Sequence, residues 1–447
     1  MVTATVIGPV DGAPGSLVVA ITDRQFAHVS IGDGGASPSG ASTAPTLGLD
    51  GRYVAFLSSA SNLTTGTDAN AAADVFVRDM MMGTTSRISL AADGGDPDAA
   101  SSAADISGDG ARVVFRTTAT NMVTGTVDGA VHYLWERGAT PELTRLPFAR
   151  GESPHLRISE TGAFVFYTSR AVPAALPAID DSSGTELDLY RYQIDGGTFV
   201  NMSLNSAGGT GVAYLGENAF LRGISPTGRY AGFHYAGRQM DTEFDDHVAR
   251  VAHSYVRDAV LGRTKRIDRH HGSMTTCDSP GSSGATPSLL GDLWFFHTTC
   301  PIRVLPSSGP NHPGGHPDVF VRVSDFDSPT SSMVTERVVV GLRGAVPDGK
   351  TEVVAISSDA AARYVLVSSE ATNLVAGDTN GVADLFVVDR TDGSIQRVSV
   401  DGDGAQIASV GVGDLSGDGR FVVFETTEQL LPTDTNSVSD IYMLQLP

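Results

Sequence analysis

A repeated sequence motif constrains the fold of this chain more than any other feature. The motif is a turn of the form Ser-x-Asp-Gly-Arg followed by an apolar segment, and its clearest copy is at residues 416–424. Seven copies occur, at residues 49–56, 107–115, 159–166, 225–233, 288–296, 357–367 and 416–424. The glycines of the first and last turns, Gly51 and Gly419, are six intervals apart, so the period is about 61 residues. This period is longer than the roughly 40–50 residues of common propeller blades, but internal repeats are typical of solenoids and propellers, so the chain is predicted to consist of seven similar units.

Each unit is predicted to contain four short antiparallel strands, named A to D in chain order. Strands A and B flank the Asp-Gly turn, since Asp-Gly between two apolar runs is a strong hairpin signal. A longer polar connection leads to strand C, and a short glycine-containing turn leads to strand D, as in residues 385–400. A single unit cannot bury both faces of its sheet, whereas radial stacking of seven units can. The sequence therefore predicts an all-β fold, a seven-bladed β-propeller of four-stranded antiparallel blades.

The N-terminal segment has the pattern of the strand that the last unit lacks. The seventh unit ends after strand C, at residues 441–444, and residues 26–31 have the pattern of a strand D. We therefore predict that the N-terminal segment 26–31 completes the last blade and closes the ring. No linker-like stretch or change of composition divides the sequence, so residues 1–447 are predicted to form a single propeller.

The repeat motifs carry a family resemblance. The Ser-x-Asp-Gly-Arg turns and the strands of the form Asp-(Val/Leu/Ile)-(Phe/Tyr)-Val resemble the TolB-like, WD-type β-propeller repeats of bacterial proteins, over residues 26–447. The resemblance implies the propeller fold, and its superfamily includes binding proteins, scaffolds and enzymes. Together with a candidate disulfide it implies an extracellular or periplasmic location, although the first residues show no signal-peptide pattern.

The charge balance excludes several classes of partner. The chain has 51 acidic and 30 basic residues, a net charge of −21. Since this charge repels phosphate groups, we expect no binding of nucleic acid. No run of residues approaches the roughly eighteen apolar residues of a membrane-spanning helix, so we expect no membrane insertion.

The connection between strands B and C carries a regular acidic motif. The motif is Asp-x-Asn-x-x-x-Asp, and it occurs in units 1, 6 and 7. Its residues are Asp68, Asn70, Asp74, Asp378, Asn380, Asp384, Asp434, Asn436 and Asp440. Calcium prefers carboxylate and carbonyl oxygens on a tight loop, so these residues are candidate calcium ligands. The alternative is structural: Asp and Asn would hydrogen-bond the loop backbone in Asx turns.

Units 2 to 5 depart from this regular pattern and are rich in histidine. We expect a ligand face there, with His247, His253, His297, His312 and His316 as candidates. No metal-binding spacing such as His-Glu-x-x-His accompanies these histidines. Cys277 and Cys300 fall on the same predicted face of unit 5, so a disulfide between them is predicted, with two separate thiols as the alternative.

The function is predicted from this contrast between regular and divergent blades. No catalytic set is recognisable, so the leading hypothesis is a non-catalytic binding or scaffold propeller that engages a protein or glycan through the loops of blades 2–5. The alternative is a carbohydrate-active hydrolase or lyase with a His/carboxylate site near the mouth of the channel. A second alternative is a structural subunit of a larger surface assembly.

Overall fold

The fold was obtained as a computed structural model, which describes residues 26–66, 68–124, 129–148, 155–176, 187–204, 218–235, 240, 253–268, 283–299, 315–323, 326 and 334–447. These residues contain 28 strands, arranged in seven four-stranded antiparallel sheets. The predicted seven-bladed β-propeller is therefore confirmed. Within the described ranges no helix is long and apolar enough to cross a membrane.

The first half of the chain begins with an N-terminal strand that belongs to blade 7 and continues with blades 1 to 3. Its strands are β1 (Phe26–His28); β2 (Ser42–Leu47), β3 (Tyr53–Ser58), β4 (Asp74–Asp79) and β5 (Thr84–Arg87) in blade 1; β6 (Ser101–Ile106), β7 (Arg112–Thr117), β8 (Val131–Glu136) and β9 (Glu142–Arg145) in blade 2; β10 (Leu156–Ile158), β11 (Phe164–Ser169), β12 (Asp188–Gln193) and β13 (Thr198–Asn201) in blade 3.

Blades 4 to 7 follow with the same order of strands. They are β14 (Phe220–Ile224), β15 (Tyr230–Tyr235), β16 (His253–Asp258) and β17 (Arg263–Arg266) in blade 4; β18 (Ser283–Pro287), β19 (Leu293–Thr298), β20 (Asp318–Val323) and β21 (Val334–Arg337) in blade 5; β22 (Thr351–Ile356), β23 (Tyr364–Ser369), β24 (Asp384–Asp389) and β25 (Ser394–Arg397) in blade 6; β26 (Gly413–Leu415), β27 (Phe421–Thr426) and β28 (Asp440–Gln445) in blade 7. Among the described residues, two short 3-10 helices, Asp33–Gly35 and Leu342–Gly344, lie between blades.

The N-terminal strand closes the ring as the sequence predicts. Strand β1 pairs antiparallel with β28, with Phe26 opposite Leu444 and His28 opposite Tyr442. The backbone pairing continues one residue further, because the Val29 N–H donates to the Ile441 carbonyl at 2.8 Å. Blade 7 thus takes three strands from the C-terminus and its outer strand from the N-terminal segment.

The apolar core is distributed over the interfaces between blades. Successive residues of a strand point to opposite faces of its sheet, so one strand serves two interfaces. In β3, Ala55 packs in the cluster shared with blade 2, while Val54 and Phe56 pack in the cluster shared with blade 7. Seven such clusters of buried residues occur in the described part of the chain, one for each pair of neighbouring blades.

The Asp-Gly turns between strands A and B have the backbone conformation that their sequence predicts. Gly51 has φ of 75°, a backbone conformation that residues other than glycine rarely adopt. The ring of Phe421 in the neighbouring blade also lies where a side chain on Gly51 would project. In blade 6 the same turn uses Ala362, with φ of 44°.

Candidate functional site

The connections of the propeller emerge on two distinct faces. The B–C loops meet the start of strand A of the next blade: the Ser101 N–H donates to the Ala73 carbonyl at 2.7 Å, and the Thr351 N–H donates to Pro317 at 2.9 Å. The long B–C and D–A connections therefore share one face, which we call the loop face. The short A–B turns lie at the opposite end of the channel.

The A–B turns narrow the channel at that opposite end. Backbone hydrogen bonds link the turns of neighbouring blades, from Leu49 N–H to Gly108 carbonyl at 2.7 Å and from Gly108 N–H to Glu160 carbonyl at 2.8 Å. The Ser358 hydroxyl of blade 6 donates to the Glu160 carboxylate of blade 3, on the far side of the ring. A Cβ at Gly417 would collide with this Glu160–Ser358 pair, so the passage here is tightly filled.

A cavity of about 430 Å³ lies in the central channel above this narrow end. Its walls are the inner strands, the A strands, of six blades. One wall residue from each is Thr46, Ala104, Arg157, Arg222, Val354 and Asp414. A second space of about 140 Å³ continues from it toward Glu160 and Ser358. The cavity volume is in the range of small-ligand sites.

Two acidic side chains of the channel wall bind the backbone of the next blade. Asp414 of blade 7 accepts hydrogen bonds from the N–H groups of Leu47 and Leu415, each at 2.9 Å. Asp105 of blade 2 accepts a hydrogen bond from the Ile158 N–H of blade 3 at 2.7 Å. These carboxylates therefore join neighbouring inner strands, and burial raises the pKa of Asp414 to about 6.

Two arginines of blades 3 and 4 project into the same cavity. Arg157 is 49% exposed to the channel, and its Nη1 lies 3.5 Å from Asp105 Oδ1, a long ion pair. Arg222 is exposed and lies 6.0 Å from the ring centroid of Phe220. The Phe220 ring also contacts His155 edge-to-face at 6.0 Å. Burial and the two nearby guanidinium groups lower the pKa of His155.

His297 and Glu352 extend this polar group around the channel toward blades 5 and 6. His297 Nε2 lies 3.4 Å from Glu352 Oε1, and Lys350 Nζ lies 2.9 Å from the other oxygen of Glu352. Burial, with the positive charges of Arg222 and Lys350, lowers the pKa of His297 to about 3. The imidazole is therefore neutral at physiological pH.

The Asp-x-Asn-x-x-x-Asp motif of blade 1 contacts an arginine that the sequence analysis did not consider. Arg87 at the end of strand D lies 3.1 Å from Asp68 and 3.3 Å from Asp74, and all three side chains are buried. Asn70 accepts a hydrogen bond from the Ala72 N–H at 2.9 Å and donates to Asp74 at 3.3 Å. The loop thus has the Asx turn of the structural alternative.

Blade 6 repeats this arrangement, and blade 7 varies it. In blade 6, Arg397 contacts Asp378 at 3.1 Å and Asp384 at 3.5 Å, while Asn380 donates to Asp384 at 3.4 Å.

In blade 7, His28 stands where the other two blades have arginine. Its Nε2 lies 3.5 Å from Asp440, and its ring stacks on Tyr442 at 5.0 Å. Asn436 donates to Asp440 at 2.9 Å, and the Tyr442 hydroxyl donates to Asp434 at 2.6 Å.

The described residues contain no group of three or more His, Cys, Asp or Glu side chains arranged to hold a metal ion. Calcium binding by these loops stays a prediction.

The candidate histidines have different surroundings. His253 is buried at the start of strand C in blade 4 and contacts Asp268 at 3.1 Å. His297 lies near the channel, as described above, and His316 is half-buried before β20. His247, His312, Cys277 and Cys300 lie outside the described residues, so the disulfide stays a prediction.

The sequence analysis did not single out Arg157, Arg222, Asp105 or Asp414. A signal was nevertheless present in the sequence, because each of these charged residues stands two or three positions before the serine of an A–B turn. The same positions in blade 1 and blade 6 hold Thr46 and Ala355. A charged residue on the innermost strand of a propeller points to the channel.

The comparisons with known proteins show the fold. No protein-family profile matches the chain. No curated protein matches it either. A solved structure of oligogalacturonate lyase in complex with manganese matches with a TM-score of 0.52 at 12% identity, over 95% of this chain and 96% of that chain. Oligogalacturonate lyase from Vibrio parahaemolyticus matches with a TM-score of 0.51 at 12% identity, over 95% and 97%.

TolB from Acinetobacter baumannii also matches, with a TM-score of 0.37 at 12% identity, over 84% of this chain and 76% of that chain. The two lyase structures, whose TM-scores are above 0.5, show a shared propeller architecture, and identities of 12% show nothing about activity. The propeller part of the family prediction is therefore confirmed, and the specific bacterial TolB-like, WD-type repeat stays a resemblance in sequence motifs.

Proposed function

We propose that this protein is a non-catalytic binding propeller that engages a protein or glycan through its loop face, with the channel cavity as the deepest part of the site. The proposal treats residues 1–447 as one propeller and places the protein in an extracellular or periplasmic compartment. It extends the sequence-based hypothesis, because the contact surface now includes the inner strands as well as the loops of blades 2–5.

The observation that carries the proposal is the asymmetry of the channel. Linked A–B turns and the Glu160–Ser358 pair fill one end, while a cavity of about 430 Å³ lies on the side of the loop face. Since the described residues close the channel at the A–B turns, we expect a ligand to enter from the loop face. Concave sites with a few polar groups on rigid strands are the usual form of a binding site.

An enzyme acting on carbohydrate is the second candidate, because titratable groups line the same cavity. Burial raises the pKa of Asp414 to about 6, which suits a group that exchanges a proton near neutral pH. Propellers of this fold include a lyase named for oligogalacturonate. Both Asp414 oxygens, however, accept backbone N–H groups, and this favours a positioning role over proton transfer.

Two tryptophan variants test the proposed site. Val412 lines the loop-face end of the cavity and is 56% exposed, so Val412→Trp should obstruct the cavity without disturbing the core. Leu290, in the A–B turn of blade 5, is also 56% exposed, and Leu290→Trp is the matched control on the opposite face. Labelled wild-type and variant proteins are applied to glycan and peptide arrays.

We expect Val412→Trp to lose the binding that wild type and Leu290→Trp share. Equal binding by all three proteins would contradict a site in the channel. Turnover of a bound glycan by the wild type, detected by mass spectrometry and lost in Asp414→Asn, would favour the enzyme instead.

A further inference from the structure

We propose that the channel cavity binds a single carboxylate group of its ligand through Arg157 and Arg222. The inference deepens the proposed function and rests on it, because it names the chemistry that the same cavity recognises. The carboxylate can come from an acidic sugar or from the C-terminus of a peptide.

The first argument is the state of the two guanidinium groups. Arg222 is exposed in the cavity, and among the described residues it makes no hydrogen bond or ion pair; its neighbours are the Phe220 ring at 6.0 Å and, at longer range, the attracting carboxylate of Glu352. Arg157 has one long ion pair, 3.5 Å from Asp105, and is 49% exposed. Each guanidinium has five N–H donors in a planar fork that matches a carboxylate. Most of these donors are therefore directed to solvent in the channel.

The second argument is that the wall carboxylates are already bound elsewhere. Asp414 accepts two backbone N–H groups, and Asp105 accepts the Ile158 N–H at 2.7 Å. These bonds hold the carboxylates against the inner strands and leave the arginines as the side chains available to a ligand. The arginines come from adjacent blades, line the same cavity and both lower the pKa of His155, so we infer that they can share one ligand group.

The third argument selects a singly charged group. Asp105, Asp414 and Glu160 line the same space as the two arginines, so the cavity has no excess of positive charge. A doubly charged phosphate is disfavoured relative to a carboxylate, because the cost of removing an ion from water rises with the square of its charge, whereas its attraction to the arginines rises only in proportion to the charge. The net charge of −21 also opposes the approach of polyanions over longer distances.

The surroundings of Arg222 suit an organic acid better than a free ion. Phe220 and His155 form an edge-to-face pair beside it, with ring centroids 6.0 Å apart. A ring face next to a charged group accommodates the apolar part of a sugar or peptide. The volume of about 430 Å³ leaves room for more than the carboxylate itself.

The experiment compares acids with neutral molecules of nearly the same shape. The probes are glucuronic acid and its methyl ester, trialanine and its C-terminal amide, and inorganic phosphate. Each probe is titrated by NMR against wild type, Arg222→Ala, Arg222→Lys and Val412→Trp. Arg420→Ala is the control, because Arg420 pairs with Asp418 at the exposed A–B turn of blade 7. Melting temperatures verify that each variant is folded.

We expect at least one of the two acids to bind, with its neutral counterpart and phosphate about tenfold weaker or more, as for the loss of a charge-assisted hydrogen bond. Arg222→Ala should weaken the acid by about the same factor, Arg222→Lys by less, and Arg420→Ala not at all. Whether the sugar acid or the peptide acid binds identifies the source of the carboxylate.

The failures of the two proposals are distinguishable. If acid and neutral probe bind equally and Val412→Trp blocks both, the channel site stands and the carboxylate inference is overturned. If no acid binds, or if Arg222→Ala binds the acid as wild type does, the inference is likewise overturned. Array binding that Val412→Trp leaves intact refutes the channel site itself.

Discussion

Replacing Asp414 by asparagine should change how the stability of the protein depends on pH. Asp414 lies on the channel wall, and burial raises its pKa from the usual 3.8 to about 6. A carboxyl with a raised pKa in the folded state contributes stability that is fully present below pH 3.8 and is lost as the pH rises through 6. Asparagine has nearly the same shape and does not titrate, so the variant lacks this loss.

The size of the effect follows from the shift in pKa. A shift of about 2 pKa units corresponds to roughly 3 kcal/mol, of which about 2 kcal/mol falls between pH 4 and pH 7. We therefore compare the free energies of unfolding of wild type and Asp414→Asn. The wild-type value minus the variant value should fall by about 2 kcal/mol as the pH rises from 4 to 7. The measurement is urea unfolding at constant ionic strength at pH 4, 5, 6 and 7.

The titrating histidines do not obscure this difference. Burial lowers the pKa of His132 to about 4 and of His297 to about 3, so both histidines lower the stability as the pH falls below 6.5. Their contributions occur equally in wild type and variant and cancel. The control is Asp389→Asn, since the Arg363 ion pair lowers the pKa of Asp389 to about 2 and its effect lies below pH 4. A difference that stays constant from pH 4 to pH 7 for Asp414→Asn would refute the reasoning.

Three further predictions concern the framework of the ring. Arg87→Leu leaves buried carboxylates unpaired and should lower the free energy of unfolding by roughly 3–5 kcal/mol. Arg420→Ala removes an exposed ion pair and should lower it by less than about 1 kcal/mol, so equal losses in urea unfolding would contradict this prediction. Val29→Ala in the closing segment should lower the free energy of unfolding by about 2 kcal/mol and accelerate hydrogen exchange of β28, because Val29 is fully buried. Val438→Ala, at an exposed position, should do neither. If the B–C loops bind calcium, the blade 7 loop should bind it most tightly, because it lacks the competing arginine. Added calcium should then raise the melting temperature, and Asp440→Asn should abolish this rise. A melting temperature that neither calcium nor EGTA changes would count against calcium binding.

Much of the architecture could be predicted because it depends on local sequence. The Asp-Gly turns, the alternation of apolar residues and the strand-like segment at residues 26–31 are each contained in a few neighbouring residues. The surroundings of the acidic motif could not be predicted in the same way. Arg87 reaches Asp74 only because the C–D hairpin places Arg87 opposite Phe76, two residues from Asp74. That register is a property of the folded hairpin.

The channel was beyond prediction for a related reason. Each blade supplies only one inner strand, and Arg157 and Arg222 are 65 positions apart in the sequence. Nothing in either segment alone indicates that both side chains enter one cavity. The sequence predicts a ligand face on the loops of blades 2–5, and our proposal extends it to the inner strands of blades 3 and 4.

The sequence by itself determined the repeating unit and the number of blades, because most strand pairing within a blade depends on residues close together in the chain. It also predicted how the ring is closed, because the last unit lacks a strand D and residues 26–31 have the pattern of one. The tertiary structure decided which side chains share the channel and what each of them binds. Asp414 accepts the N–H of Leu47, 367 positions away, only because radial packing of seven sheets brings the last blade against the first. Contacts of this kind follow from closure of the ring, so they can be identified only once the ring is built.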